Sequence, residues 1–110
     1  MTGMASRREV QVAQAVAEHA ADFFARESSV AALITVTRAD MSSDLKRATI
    51  YISVLPQSKE EEAIKFAKRA RSDLHSYIRA HSFLHPTPVV DLEIDYGEKN
   101  RQRIDDLTRR

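Results

Sequence analysis

Apolar residues return at every third or fourth position between Ser6 and Glu27. Val12, Ala13, Val16, Ala20, Phe23 and Phe24 fall on one stripe, no glycine or proline interrupts it, and Ser28-Ser29 closes it; this spacing predicts an amphipathic helix. The period then drops to two. Ala32 to Ala39 reads as a strand in which Thr35, Val36 and Thr37 are β-branched and Ile34 shares a face with Val36. Asp40-Met41-Ser42-Ser43-Asp44 reads as a turn, because short polar side chains bond readily to nearby backbone. From Leu45 to Leu55 the alternation is clean, with Ala48, Ile50, Ile52 and Val54 facing one way and Thr49, Tyr51 and Ser53 the other. That is a strand with one buried face, and the short connection makes the two strands an antiparallel hairpin.

Pro56 stops the second strand. Ser58-Lys59-Glu60-Glu61 has the form of a capping box, with serine at the N-cap and glutamate at N3. A long helical pattern follows to about Phe83, apolar at Ala63, Ile64, Ala67, Ala70, Leu74, Tyr77 and Ile78, and Pro86 and Pro88 forbid its continuation. In Val89 to Tyr96, a third strand, Val90, Leu92, Ile94 and Tyr96 alternate with Asp91, Glu93 and Asp95, and Gly97 ends it. Residues 101–110 read as a short terminal helix with Ile104 and Leu107 inward. The order is helix, strand, strand, long helix, strand. Each strand has only one apolar face, so the fold class is α+β, with helices covering one face of a three-stranded sheet.

The 110 residues suit a single domain over 1–110, with an ordered core of about 7–97 between flexible or short-helical ends. Hydrophobic residues make up 43% and charged residues 30%, a globular mix. Cysteine is absent, which excludes disulfides, thiolate metal sites and cysteine nucleophiles. No apolar run approaches the length of a membrane span, so a cytoplasmic protein is expected. Aromatic content is 6% without tryptophan, and net charge is only +1, so any nucleic-acid role must rest on how charge is distributed.

The stretch Ile34-Thr35-Val36-Thr37-Arg38-Ala39-Asp40-Met41-Ser42-Ser43-Asp44-Leu45-Lys46-Arg47-Ala48-Thr49-Ile50-Tyr51-Ile52 resembles the ribosome-binding factor A family. That family shows a valine-rich strand, a Met-Ser-x-Asp-Leu turn, then x-x-Ala-x-Val-Tyr-Val. Met41-Ser42-Ser43-Asp44-Leu45 matches the turn, and Ala48, Ile50, Tyr51 and Ile52 stand at the right offsets. Val12-Ala13-Gln14 and Pro88 also match, and the resemblance runs over about residues 7–107. It implies a type II KH-like fold and a non-enzymatic assembly factor; the sequence does not give the oligomeric state, and a monomer is the simplest expectation. Its partners would be the small (30S) ribosomal subunit and its 16S rRNA, with no cofactor, membrane or small-molecule substrate. It further implies a role in late subunit maturation, 16S rRNA 5′-end processing and cold-shock adaptation. The family carries an Ala-x-Gly kink in place of the KH Gly-x-x-Gly loop. The matching residues are Ala70-Arg71-Ser72, with serine for the glycine, so a kink is expected near Arg71 to Asp73, where Ser72 or Asp73 can cap a new helix start; a continuous helix is also compatible with the sequence.

Between residues 65 and 79 the bases are Lys65, Lys68, Arg69, Arg71 and Arg79, and the one acid is Asp73. On a straight wheel Lys65, Lys68, Arg69 and Arg79 lie opposite Ala67, Ala70 and Leu74. Arg38, Lys46 and Arg47 flank the turn as a second cluster. Such charges are ordinarily a solvated face, and Glu61 and Lys65 are a favourable i,i+4 pair. With the resemblance, all eight become candidate RNA-binding residues that neutralise phosphates and release counterions.

Asp91, Glu93 and Asp95 alternate on one strand face and would repel phosphate. They keep an alternative open, a metal-dependent ribonuclease, since clustered carboxylates suit a hard cation. More often such acids keep an edge soluble. His81 and His85 stand i,i+4, but the intervening glutamate of a zinc-protease helix is missing and Pro86 follows. Ser42, Ser43 and Asp44 have no histidine near them in sequence, and Asp40 to Asp44 lacks the glycine and later glutamate of a calcium loop. The only glycines are Gly3 and Gly97, so there is no glycine-rich phosphate loop.

Overall fold

The structure, a computed structural model, describes residues 6–26 and 33–97; the expected terminal helix over 101–110 lies outside them. The elements run α1 (Arg7–Arg26), β1 (Ile34–Met41), β2 (Arg47–Val54), a single 3₁₀ turn (Gln57–Lys59), α2 (Glu60–Arg69), α3 (Arg71–His81) and β3 (Val89–Ile94). The sheet order is β1-β2-β3, antiparallel between β1 and β2 and parallel between β2 and β3. A parallel neighbour needs a crossover, and α2 with α3 provide it. This α-β-β-α-α-β order over a mixed sheet is the α+β arrangement of a type II KH-like domain.

One core holds the layers together. Val16 and Phe24 of α1, Ile50 and Ile52 of β2, Leu74 and Ile78 of α3, and Leu92 of β3 are all essentially inaccessible to solvent. Burial alternates along β2 and along β3 up to Ile94, so one sheet face is covered. Ser6 starts α1, its Oγ accepting the Glu9 N–H at 3.1 Å.

Four local expectations need correction. No capping box forms at Ser58: Gln57–Lys59 is a 3₁₀ turn, and α2 begins at Glu60 without a side-chain cap. Leu45 is not in the strand. It sits in the turn at φ 61°, in the left-handed region, at a cost of about 1–2 kcal/mol for a residue with a Cβ. A hydrogen-bond web offsets that cost. The Asp44 carboxylate accepts the Ser42 hydroxyl at 2.6 Å and the Lys46 N–H at 3.0 Å, and Ser42 Oγ accepts the Arg47 N–H at 3.0 Å. Leu45 itself packs against the core. The Met-Ser-x-Asp-Leu pattern is therefore a structural device, and β2 begins only at Arg47.

The strand β1 runs on to Met41, so Asp40 and Met41 pair with Thr49 and Ala48 instead of opening the turn, and the strand is irregular. Its register with β2 slips between Val36 and Arg38, a bulge at Thr37. The extra residue changes the parity of the strand. Ile34 and Val36 meet the core before it, and Ala39 and Met41 after it. Finally, β3 ends at Ile94. Tyr96 is exposed rather than inward, and Asp95 is buried rather than on the wet face.

Candidate nucleic-acid interface

The long helical pattern divides at Ala70, whose φ of −85° and ψ of 1° leave the helical region. Its N–H is shared between the carbonyls of Phe66 at 3.0 Å and Ala67 at 3.1 Å, a tightened last turn of α2. Its own carbonyl already accepts Leu74 N–H at 2.9 Å, the first bond of α3. The Arg71 Nε–H caps the Lys68 carbonyl at 3.0 Å. The break thus comes at Ala70, the first residue of the expected Ala70-Arg71-Ser72 kink and just ahead of Arg71 to Asp73. Ser72 and Asp73 lie in the first turn of α3 and cap nothing, although the Asp73 charge complements the helix N-terminus.

The sheet pairing carries the turn cluster to this junction. Lys46 O accepts the Val89 N–H at 2.9 Å, and Arg47 stands opposite Val89 in the parallel ladder. One concavity of about 480 Å³ is lined by Lys46, Arg47, Arg71 and Asp91, with Ala48, Thr49, Val89 and Val90. A neighbouring one of about 450 Å³ is lined by Lys68, Arg69, Arg71 and Ser72. Arg71 belongs to both, so five cations remote in sequence share one surface, and Asp91 is the sole carboxylate lining either hollow.

Asp91 lies under that surface. Its Oδ1 is 3.4 Å from Lys68 Nζ and 3.4 Å from Arg71 Nη1, and it accepts its neighbour Leu92 N–H at 2.8 Å. Burial alone would push its carboxyl up, but the Leu92 amide and the Lys68 and Arg71 charges together outweigh burial and hold it below the ordinary range. All three side chains remain about half exposed, so these pairs are weak and open to exchange. Arg69, Lys46 and Arg47 make no ion pair among the described residues.

The other three candidates line neither hollow; Arg38 shares a separate concavity with Lys68, but Glu60, Glu61 and Glu93 line that one too. Lys65 pairs with Glu61 at 3.2 Å, in the acidic half of α2 that begins Glu60-Glu61-Glu62. Arg38 pairs with Asp40 at 2.7 Å and lies over the Tyr51 ring, its guanidinium carbon 3.9 Å from the centroid. Its charge is further stabilised, with the Asp40 hydrogen bond as the main cause. Arg79 is exposed in the last turn of α3, remote along that helix from the junction. The expected helix stripe and turn cluster are therefore regrouped, with Lys46 and Arg47 joining Lys68, Arg69 and Arg71 while Lys65, Arg79 and Arg38 line neither hollow.

The three carboxylates of the strand do not converge. Asp91 turns to the basic junction and Glu93 is exposed. Asp95, beyond the strand end, accepts the Thr37 hydroxyl at 2.6 Å with 3.7 Å to Arg38 Nε. Among the described residues no group of three acids or histidines is placed to hold a metal ion. His81 is spent locally, stacked on Tyr77 at 4.0 Å with Nδ1 2.9 Å from the Tyr77 carbonyl, and His85 lies beyond the helix end. No helix among the described residues is long and apolar enough to cross a membrane.

Comparison with known proteins agrees with this architecture. The family model described as ribosome-binding factor A matches residues 7–108. The crystal structure of ribosome-binding factor A from Thermus thermophilus superposes with a TM-score of 0.62 at 23% identity, covering 78% of this chain and 90% of that one. The solution structure of a Thermotoga maritima protein titled a putative ribosome binding factor A gives 0.59 at 19% identity, covering 84% and 91%.

Proposed function

The chain belongs to the ribosome-binding factor A family, and from that membership we propose that it binds the small (30S) ribosomal subunit through its 16S rRNA and assists late maturation, including processing near the 16S 5′ end, most needed in the cold. It does so as a cytoplasmic monomer and without catalysis. The observation that carries this reading is the meeting of Lys46 and Arg47 with Lys68, Arg69 and Arg71 on one surface. Cations held by two separate backbone elements can bridge phosphates of a folded RNA, and each phosphate neutralised releases counterions. Bound there, the protein favours one rRNA conformation over others and leaves when the mature form no longer fits; differential affinity for the two states is the only requirement. Arg38, Lys65 and Arg79 are proposed as outlying contacts only.

Cosedimentation with immature small subunits across a salt series tests this. Replacing Lys68, Arg69 and Arg71 together by alanine should weaken binding and flatten the log–log salt slope by about 2–3 units, at roughly 0.7–0.9 per phosphate contact. Wild-type binding and slope in the triple variant would overturn the assignment.

A further inference from the structure

The segment joining α3 to β3 holds one phenyl ring wholly in solvent, Phe83, at 101% relative exposure. The exposure does not come from a loose loop. Ser82 Oγ donates to the Ile78 carbonyl at 2.6 Å and accepts the Leu84 N–H at 3.2 Å. Thr87 Oγ1 donates to the Leu84 carbonyl at 2.7 Å, and His75 Nε2 lies 3.3 Å from the Thr87 carbonyl. Leu84 packs on the core and Pro88 is buried. The loop is thus fastened on both sides of Phe83, and with Leu84 turned in, the ring is turned out.

Its neighbours along the chain include bases and no acids. From Leu74 to Val90 there is no acidic residue, while Arg79, His75, His81 and His85 are all present. Arg79 and His85 are exposed and make no ion pair among the described residues.

We propose that Phe83 is a stacking platform for an unpaired nucleobase of RNA, with Arg79 and His85, four residues before it and two after it in sequence, to meet the adjoining phosphates. An isolated aromatic ring flanked by cationic and hydrogen-bonding side chains is what single-stranded RNA recognition uses. A protein partner would instead need a contiguous apolar patch, and Leu84, the adjoining apolar residue, is turned inward. The inference rests on the RNA-binding reading above and adds a contact of a different kind. The eleven-residue α3, about 16 Å long, lies between it and Arg71. Phosphate is held at one end of that helix and a base at the other.

The test measures binding of wild type, Phe83→Ala, Phe83→Leu and Phe83→Trp to purified immature small subunits, with ultraviolet crosslinking and mass spectrometry of the adducts. Phe83 supports nothing in the fold, so thermal unfolding of all four should coincide. Loss of stacking should weaken binding by Phe83→Ala about 5- to 150-fold with the salt slope unchanged. Phe83→Leu should fail likewise, Phe83→Trp should hold wild-type affinity, and a nucleotide adduct should map to residue 83. Phe83→Ala within twofold of wild type overturns the proposal. So does wild-type binding by Phe83→Leu, which marks an apolar contact with protein. If the Lys68, Arg69 and Arg71 variant alone loses binding, this inference fails and the basic surface stands; if wild type does not bind at all, both fail.

Discussion

Asp91→Asn should tighten binding to RNA. The carboxylate sits 3.4 Å from both Lys68 and Arg71, competing inside the molecule for the charges that phosphate would use. With all three side chains about half exposed, each pair is worth about 0.2–1 kcal/mol, or about 0.4–2 kcal/mol together. Freed for an external anion, that corresponds to roughly 2- to 30-fold in affinity. Asparagine keeps an oxygen to accept the Leu92 N–H, and the Lys68 carbonyl still holds Arg71 in place, so the surface stays built. Fluorescence anisotropy with a labelled 16S rRNA fragment at several salt concentrations reads the effect, and thermal unfolding checks the fold. Tighter binding with a steeper salt slope is the expected result. Unchanged or weaker binding by a folded variant would refute the claim that Lys68 and Arg71 meet phosphate. The same substitution serves against a nuclease reading, which requires it to abolish magnesium-dependent cleavage.

Thr37→Val removes the 2.6 Å hydroxyl donor from the buried Asp95 carboxylate, and should lower stability by about 1–3 kcal/mol in urea unfolding while Thr37→Ser stays near wild type; equal midpoints for the two variants would show the contact to be idle. Acid should weaken the fold through Asp44 and Asp91. The Ser42 hydroxyl and then the Lys46 amide pull Asp44 below the usual carboxylate range, and Asp91 is lowered as described. Groups with depressed folded values contribute fully above the unfolded value of about 3.9, and that contribution disappears as pH falls through the lower folded values. Urea midpoints should therefore be flat above about pH 5 and fall below about pH 4, and an Asp44→Asn, Asp91→Asn double variant should show a shallower acid limb. An acid limb of unchanged steepness would contradict the assignment.

Much of the fold was legible because burial imposes its period on the sequence. The stripe of α1 and the alternation through Ile50, Ile52 and Val54 needed no tertiary information, and observed burial follows both. The helix break was less legible. Ala67, Ala70, Leu74 and Ile78 keep the spacing of a straight helix across it, so the apolar pattern is the same whether or not the backbone turns at Ala70. The bulge at Thr37 hid for a related reason, since a β-branched run gives no sign of which residue is extra. At Ser58 the local capping signal lost to the 3₁₀ turn after Pro56.

By itself, the sequence determined the element types, the α+β class, the family, and a local excess of positive charge. Those are properties of neighbours along the chain: periodicity, turn chemistry and composition. Only the tertiary structure decided that Lys46 and Arg47 join Lys68, Arg69 and Arg71 while Lys65 and Arg38 are claimed by nearby acids. It also decided that Asp91 lies within reach of two of those cations and that Phe83 stands alone in water. The reason is physical: charge acts through space, and the distances that matter were set by a parallel strand pairing and a helix break that no run of residues spells out.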